Sequence, residues 1–241
     1  MFNLSVDIGN SFSKAALFDD ERLIETWYKL SSSELLELIN KDKKLPVTIA
    51  SVGKELVHIQ NLIDNKDRLL ILDSDTPVPI KVKYLTPHSL GMDRLAACIG
   101  AKTLFNKKPI LKIDTGTCIT FDFVNAEGEY EGGSISLGLK MRFKALNHFT
   151  AKLPFIESFE DHPIMGVNTN EAIVSGVVNG IIAEMDSFIN YYQNICPNLE
   201  IVICGGDSDF FESKLKQTIF VVPHLVMLGL NRVYLYHVQK N

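Results

Sequence analysis

Two apolar runs of this 241-residue chain end in the same short pattern: an aspartate, any residue, a glycine and a small polar residue. The first copy contains Asp7 and Gly9, and the second contains Asp114 and Gly116. At such a turn, glycine lets the backbone come close to a ligand with its amides turned outward. The aspartate can hold a cation that bridges phosphoryl oxygens. The pattern therefore fits a site for a phosphate group and its metal ion.

The same pattern also occurs in turns that bind nothing. Asp and Gly dominate tight turns for conformational reasons, and a single short motif often matches by chance. Here both copies follow an apolar run, and each leads into a second strand-like run, a polar turn and a third extended segment. Two copies with matching flanks, about one domain length apart, favour duplicated halves. We therefore expect the halves to face each other across a cleft, with one acidic turn from each.

Hydrophobic patterning predicts an α/β protein whose halves repeat one order: three strands, a helix, a strand and a glycine loop. In the first half we expect helices at 32–43 and 54–65 and strands at 47–50 and 69–72. In the second half we expect the hairpin at 110–130, helices at 140–148 and 170–193, a strand at 201–204, a glycine loop at 205–207 and a last helix at 223–238. The segment 106–109 is the best candidate boundary, which gives domains 1–107 and 108–241.

Composition argues against several classes of function. With 46% hydrophobic and 22% charged residues, the chain is typical of a soluble globular protein. A net charge of −5 without a basic run argues against nucleic acid or an anionic membrane as partner. The first residues fit no signal sequence, and we expect no stretch to approach the roughly 20 apolar residues of a membrane span. The four cysteines lack zinc or redox spacing, which indicates reduced thiols in the cytoplasm.

A third acid stands at the start of a predicted helix, in the sequence Gly91-Met92-Asp93-Arg94. A carboxylate at a helix N-terminus beside an arginine often serves stability alone, because the helix dipole favours negative charge there. Phosphoryl transfer to an alcohol, however, needs a carboxylate that accepts the hydroxyl proton and is distinct from those that hold the metal. Given the two phosphate-type turns, we expect Asp93 to be that base.

Other small residues allow two interpretations. The glycine pairs at 132–133 and 205–206 fit either a close approach to a ligand or an ordinary tight loop. Thr169 and the pair at 175–176 fit either the capping and packing of the long helix or contact with a substrate.

The ordered set of these phrases over nearly the whole chain resembles the type III pantothenate kinases. The shared phrases are Asp7 to Ser11, Gly91 to Arg94, Asp114 to Thr117, Gly132-Gly133, Thr150 to Pro154, Thr169 with Ser175-Gly176, and Gly205 to Asp207. The resemblance implies an actin-like (ASKHA) kinase fold with two duplicated domains, a mixed sheet in each half and a central cleft. It also implies transfer of the ATP γ-phosphate to pantothenate, the first step of coenzyme A synthesis, by a cytoplasmic homodimer.

The resemblance further implies a role for each matching residue. Asp93 would be the general base, Asp7 would lie close to a divalent metal such as Mg²⁺, and Asp114 would ligate a monovalent cation, potassium or ammonium. The residues implied in ATP binding are Asp7, Ile8, Gly9, Asn10, Ser11, Phe12, Ser13, Lys14 and Thr117. Those implied in pantothenate binding are Tyr84, Gly91, Met92, Asp93, Arg94 and Thr169. One loop departs from the family, because Leu137 stands before Gly138 where the family commonly has proline.

Two other functions remain open from the residues alone. One is another actin-like small-molecule kinase, such as a sugar kinase, because phosphate turns do not identify the acceptor. The other is a non-catalytic regulator that binds nucleotide, or a transcription accessory factor. The apolar face of the helix at 170–193 also allows two interpretations: packing within its own domain, or a two-fold dimer interface. The resemblance favours the interface, with Val177 and Ile181 toward the partner and Thr169 in a shared pocket.

Overall fold

The computed structural model describes residues 1–9, 12–51, 59–63, 65–160 and 163–240. The strands are β1 (Phe2–Ile8), β2 (Ser13–Asp19), β3 (Arg22–Leu30), β4 (Val47–Ser51), β5 (Leu69–Ile71), β6 (Lys81–Val82), β7 (Ile110–Thr115), β8 (Cys118–Val124), β9 (Glu129–Leu137), β10 (Glu200–Cys204) and β11 (Phe220–Val221). The helices are α1 (Ser32–Asn40), α2 (Met92–Leu104), α3 (Leu139–Phe149), α4 (Thr169–Ile195), α5 (Ser208–Glu212) and α6 (Leu225–Lys240). Two 3₁₀ turns lie at Lys66–Arg68 and Pro87–Ser89.

The two sheets have the same strand order, as the repeated motif predicted. The first sheet is ordered β3-β2-β1-β4-β5, and the second is ordered β11-β10-β7-β8-β9-β6. In the first sheet, hairpins make β1, β2 and β3 antiparallel, while β4 and β5 pair parallel after crossovers. Read from its β9 side, the second sheet repeats this order, with β7 in the place of β1. The short edge strand β6 is an addition in the second sheet.

Two compact units group these elements. One consists of residues 1–110, 123–132 and 224–241, and the other of residues 111–122 and 133–223. Each unit is therefore discontinuous in the sequence. The expected boundary between residues 107 and 108 and the central cleft stay predictions.

Helix α1 begins where the sequence predicted and ends earlier. Its first turn is held by a capping box between Ser31 and Glu34. The predicted end at Lys43 is wrong, because Arg68 donates to the carbonyl oxygens of Ile39 and Asp42 at 2.9 and 3.1 Å and so satisfies the groups that would continue the helix.

Three further helix predictions differ from the structure in extent. The long helix α4 extends beyond the predicted 170–193 at both ends, with Asn168 as its N-cap. The last helix begins at Leu225 rather than Pro223, which lies in the preceding turn. Of the helix predicted at 54–65, residues 59–61 are helical, and 52–58 lie outside the described residues.

Helix α4 corrects two expectations. It has 27 residues, and an 18-residue stretch of it has a mean hydropathy of 1.4, so by length and composition it could cross a membrane and the expectation of no such stretch is wrong. Its apolar face packs within its own unit instead: Val177 and Ile181 are 4% and 0% exposed, and Phe188 stacks on Phe121 of β8 at 4.3 Å between ring centroids. The same burial shows that Val177 and Ile181 are core residues, so their expected orientation toward a partner is also wrong.

Two glycines bring helices α2 and α6 into close contact. An ideal Cβ on Gly229 would lie 1.7 Å from the carbonyl oxygen of Ala96, and one on Gly100 would lie 2.3 Å from that of Leu225. Farther along α6, the buried Asn231 accepts a hydrogen bond from Asn3 of β1 at 2.8 Å. The last helix thus fixes α2 and β1, which carry two of the three candidate acids.

Candidate active site

The first acidic turn joins β1 to β2. Asp7 is 8% exposed and lies opposite Lys14 of β2 in the antiparallel register, while Ile8 lies opposite Ser13. An ideal Cβ on Gly9 would lie 3.1 Å from the carbonyl oxygen of Phe12, so the turn is tight enough to favour glycine.

Three further residues of this turn were expected to bind ATP: Asn10, Ser11 and Phe12. The side chain of Phe12 is 56% exposed. Asn10 and Ser11, which were expected to bind ATP, lie outside the described residues.

The third candidate acid lies in the first turn of α2, as predicted. Gly91 is the N-cap, Met92 is the first helical residue, and Asp93 Oδ1 accepts a hydrogen bond of 2.8 Å from the backbone N–H of Arg94. An ideal Cβ on Gly91 would lie 2.6 Å from that oxygen, so the glycine leaves the space that the carboxylate uses. A backbone amide thus holds the carboxylate at the helix N-terminus, where the helix dipole favours negative charge.

Tyr84 lies against the same helix start. The guanidinium carbon of Arg94 lies 6.0 Å from the Tyr84 ring centroid, and the buried Tyr130 ring lies 6.0 Å away on β9. An ideal Cβ on Gly132 would lie 3.7 Å from the Tyr84 ring, and the positive φ of +127° at this residue also favours glycine. The structure therefore brings together Tyr84 and the segment from Gly91 to Arg94, which were expected to share one substrate.

The second acidic turn joins β7 to β8 and is enclosed by neighbouring backbone. An ideal Cβ on Gly205 would lie 2.7 Å from Asp114 Oδ1 and 2.6 Å from backbone atoms of Thr115. Thr115 donates its hydroxyl to the carbonyl oxygen of Cys204 at 3.0 Å, and the N–H of Asp207 donates to the Thr115 carbonyl at 3.0 Å. Hydrogen bonds therefore hold the loop after β10 against the turn.

The other side of this turn is equally close to backbone. The N–H of Gly138 donates to the carbonyl oxygen of Thr117 at 3.0 Å, and an ideal Cβ on Gly138 would lie 2.3 Å from that oxygen. The side chain of Thr117 itself is exposed. Leu137, which replaces the proline common in the family, precedes this contact and ends β9.

A second carboxylate at this turn was missed by the sequence reasoning. Burial raises the pKa of Asp207, the charge of Asp114 raises it further, and the cationic Lys140 opposes both effects. A cation beside these two neighbouring carboxylates would offset the effect of the Asp114 charge on Asp207. The position of Asp207, directly after the glycine pair that follows β10, was the available signal.

Carboxylates that could hold a metal occur at both acidic turns. Among the described residues there is no group of three or more His, Cys, Asp or Glu side chains suited to a metal ion. Asp7 supplies one nearly buried carboxylate, and Asp114 with Asp207 supplies a pair. This donor set fits ions that are held by carboxylate, backbone and ligand oxygens, as Mg²⁺ commonly is.

Thr169 lies in the second unit as the first residue of α4, with an exposed side chain. It borders a cavity of about 690 Å³ between α3 and α4, which is lined mostly by apolar residues such as Leu146 and Ile173. The volume lies in the range of small-molecule pockets.

A sequence model described as type III pantothenate kinase matches residues 3–191 of the chain. The type III pantothenate kinase of Cytophaga hutchinsonii is 40% identical over 238 residues, covering 98% of this chain and all of the relative. The enzyme of the same name from Bacteroides fragilis is 41% identical over 240 residues, covering 98% of each chain.

Solved structures with lower identity share the fold. A protein of Campylobacter jejuni assigned to the Baf family of transcriptional activators superposes with a TM-score of 0.66 at 20% identity, covering 98% of this chain and 99% of that chain. The activator of 2-hydroxyisocaproyl-CoA dehydratase from Clostridium difficile, solved with ADPNP, gives 0.57 at 13% identity, covering 100% and 96%. A 2-dehydro-3-deoxygalactonokinase-like protein of Sinorhizobium meliloti gives 0.57 at 13% identity, covering 98% and 99%. The predicted actin-like fold is thereby confirmed.

Proposed function

The chain belongs to the type III pantothenate kinase family, and we propose that it transfers the γ-phosphoryl group of ATP to pantothenate, giving 4′-phosphopantothenate in the first step of coenzyme A synthesis. The single observation that carries this function is the match over 98% of the chain to curated pantothenate kinases. The geometry around α2 supports it, because Tyr84 lies against Arg94 beside the acid that the reaction needs. The same reaction makes the protein an ATP-dependent phosphotransferase.

We propose that Asp93 is the general base. The pantothenate hydroxyl would donate its proton to a carboxylate oxygen of Asp93 as the hydroxyl oxygen forms its bond to the γ-phosphorus and the bond to ADP breaks. The hydrogen bond from the N–H of Arg94 holds this carboxylate in place. In the proposed arrangement Tyr84, Gly91, Met92 and Arg94 line the pantothenate site, and Thr169 contacts the same substrate.

The proposed ATP site comprises the first turn together with Thr117. The backbone of Gly9 can approach the phosphates because the turn carries no side chain there. Ile8 and Ser13 are buried and support the turn, whereas Phe12 is exposed. Lys14 lies opposite Asp7 and could counter phosphate charge. Asn10 and Ser11 complete the proposed set from outside the described residues.

Two cations belong to the proposal. The carboxylate of Asp7, which is 8% exposed, would hold a divalent ion such as Mg²⁺, and that of Asp114 would hold potassium or ammonium. When bound, these ions neutralise the charge that develops on the phosphoryl oxygens. The enclosed position of Asp114 beside Asp207 fits this role, because a cation would offset the repulsion between the two carboxylates.

We also propose a cytoplasmic homodimer. The apolar segment before α4 is exposed, with Ile164, Met165 and Val167 at 82%, 74% and 80%. It folds back along the helix, because Ser175 donates to the carbonyl oxygen of Ile164 at 2.8 Å. Exposed apolar patches of this kind mark interaction surfaces, and a two-fold contact would place the same patch on both subunits.

The dimer is tested at positions that face outward. Ala172 is exposed at the cavity, and an ideal Cβ on Gly176 meets nothing within 4 Å. We expect Ala172→Glu and Gly176→Glu to yield a folded monomer with weakened pantothenate binding, measured by light scattering, circular dichroism and substrate titration. Ser187→Glu, on an exposed later turn of the same helix, is the matched control and should leave the dimer intact. A dimer that persists in both test variants would place the interface elsewhere.

The function is tested by ATP consumption with pantothenate compared with a panel of sugars. We expect turnover with pantothenate and none above background with the sugars. Asp93→Asn is the control for a contaminating kinase. Turnover with a sugar alone would favour the second kinase interpretation, and no turnover with any acceptor would favour the non-catalytic one.

A further inference from the structure

The strand that leads into Tyr84 is short and lies at an edge. Strand β6 has two residues, and among the described strands it pairs with β9 alone, in a parallel register with Lys81 opposite Glu129. At the ends of this pairing, the N–H of Lys81 donates to the carbonyl of Gly128, just before β9, at 3.0 Å, and the N–H of Lys83 donates to that of Tyr130 at 2.9 Å. A pairing over two residues fixes a strand weakly, since most strands have three to ten residues.

One carboxylate joins two side chains of this segment. Glu129 accepts a hydrogen bond from Lys81 Nζ at 2.9 Å and pairs with Lys83 through its other oxygen. The ionised carboxylate is strongly favoured, because the hydrogen bonds from Lys83, Lys81 and Asn125 lower the pKa of Glu129 to about 2. We call Lys81, Lys83 and Glu129 the β6 clamp.

Glu129, the member of the clamp on β9, is itself held by hydrogen bonds. The side-chain amide of Asn125 donates to Glu129 Oε2 at 2.9 Å, and its carbonyl oxygen accepts the backbone N–H of Glu129 at 2.9 Å. The side chain of Glu129 is 19% exposed, compared with 70% for Lys81 and 44% for Lys83. The Glu129 carboxylate is therefore the fixed member of the clamp, and the two lysine side chains reach it from solvent-exposed positions.

The register of β6 decides where Tyr84 lies, because Tyr84 follows Lys83 directly. A shift of one residue along β9 would move it by about 3.3 Å and turn side chains to the opposite face. Its ring would then lose the place between Arg94, Tyr130 and Gly132. A clamp with two lysines two residues apart on one carboxylate selects a single register.

We propose that Glu129 is a positioning residue for pantothenate binding, which acts by holding β6 in register so that Tyr84 stays against Arg94. This proposal rests on the proposed function, in which Tyr84 contacts pantothenate. A residue that only prepares the pocket changes substrate binding more than the chemical step. The effect should therefore be found in the KM for pantothenate.

The test compares Glu129→Gln with Glu127→Gln. Glu127 lies exposed in the adjoining turn and acts on Lys83 by its charge, so its variant removes the same charge nearby and leaves the clamp. We expect Glu129→Gln to raise the KM for pantothenate about 3- to 10-fold, with kcat and the KM for ATP within about twofold. Glu127→Gln should stay within about twofold in all three constants. Glu129→Asp, whose shorter side chain reaches less far, should have a KM for pantothenate between those of wild type and Glu129→Gln.

The dependence of the KM for pantothenate on ionic strength distinguishes the clamp from a merely structural role of Glu129. At constant potassium, raising ionic strength from about 0.05 to about 0.5 M with tetramethylammonium chloride screens exposed ion pairs. The KM for pantothenate should rise more steeply in wild type than in Glu129→Gln, because the variant has already lost the pairs. Lys83→Gln, which breaks the clamp from the other side, should give the same shift if Glu129→Gln folds poorly.

The possible failures are distinguishable. Equal KM values for Glu129→Gln and Glu127→Gln, or a fall in kcat with an unchanged KM, would overturn the role of the clamp in an active enzyme. A wild-type protein that phosphorylates no pantothenate would instead overturn the proposed function.

Discussion

The two acidic turns have the same place in the same sheet order but differ in their surroundings. In the turn after β1, the contact found among the described residues is internal, with Gly9 near the carbonyl of Phe12. The turn after β7 is enclosed from outside, by Gly138 on one side and Gly205 on the other. A duplicated motif can therefore keep its topology while the described contacts of its two turns differ. The predictions below test this division.

The largest effect is expected at the base, which lies in the same unit as the first turn. Asp93→Asn keeps the shape of the side chain but cannot accept the proton. General bases contribute about 10²- to 10⁴-fold, so kcat should fall by that factor with a modest change in KM. Steady-state kinetics with pantothenate measure it. A near-normal kcat would reduce Asp93 to a helix-capping residue.

The next effect separates the two turn acids. If Asp7 holds the divalent ion, Asp7→Ala should lose roughly 10²- to 10³-fold in kcat at every potassium concentration. If Asp114 holds the monovalent ion, wild type should be faster in potassium or ammonium than in sodium, and Asp114→Ala should lose that response. Equal wild-type rates in sodium and potassium would contradict the assignment of Asp114.

A smaller effect compares the glycines of the two turns. Gly138→Ala must push its new methyl group into backbone 2.3 Å away, so unfolding free energy should fall by about 1–3 kcal/mol. For a chain of this size that corresponds to about 2–4 °C in Tm for each kcal/mol. Gly9→Ala, whose methyl group would lie 3.1 Å from one carbonyl oxygen, should lose less stability than Gly138→Ala and raise the KM for ATP. If both variants lost the same stability, the turns would not differ in packing.

The smallest effect concerns β6, the strand that the second sheet adds. Glu129 has a folded-state pKa of about 2, below its ordinary value of 4.5. A lowered carboxyl pKa contributes stability above pH 4.5, and that contribution is lost as the pH falls toward 2. Glu129→Gln should therefore lower Tm by roughly 1–3 °C at pH 7, and this difference in Tm between wild type and variant should become smaller at pH 3.5. A gap that stays constant with pH would show that the carboxylate does not act through its charge.

The sequence predicted what local spacing encodes. The repeated strand order, the two turns and the place of Asp93 in the first turn of α2 are confirmed, because each depends on a short pattern of apolar residues, glycine and acids. The family resemblance added the substrate, which the turns alone do not identify.

Features that depend on distant residues escaped prediction. Arg68 ends α1 from 29 positions away, and Lys81 meets Glu129 across 48 positions. The orientation of α4 was also misjudged, because an apolar face looks the same in sequence whether it meets its own sheet or a partner. The burial of Val177 and Ile181 and the contact between Phe188 and Phe121 show that it packs within its own unit.

The packing of α6 on α2 has a consequence for folding during synthesis on the ribosome. Gly229 lies against Ala96, and Asn231 bonds to Asn3, so the first unit needs the last helix to complete its core. At a synthesis rate of about 5–20 residues per second, β1 leaves the ribosome roughly 10–45 s before α6. During that interval the nascent sheet carries an uncovered apolar surface, and a ribosome stalled before residue 225 would present it to chaperones and proteases.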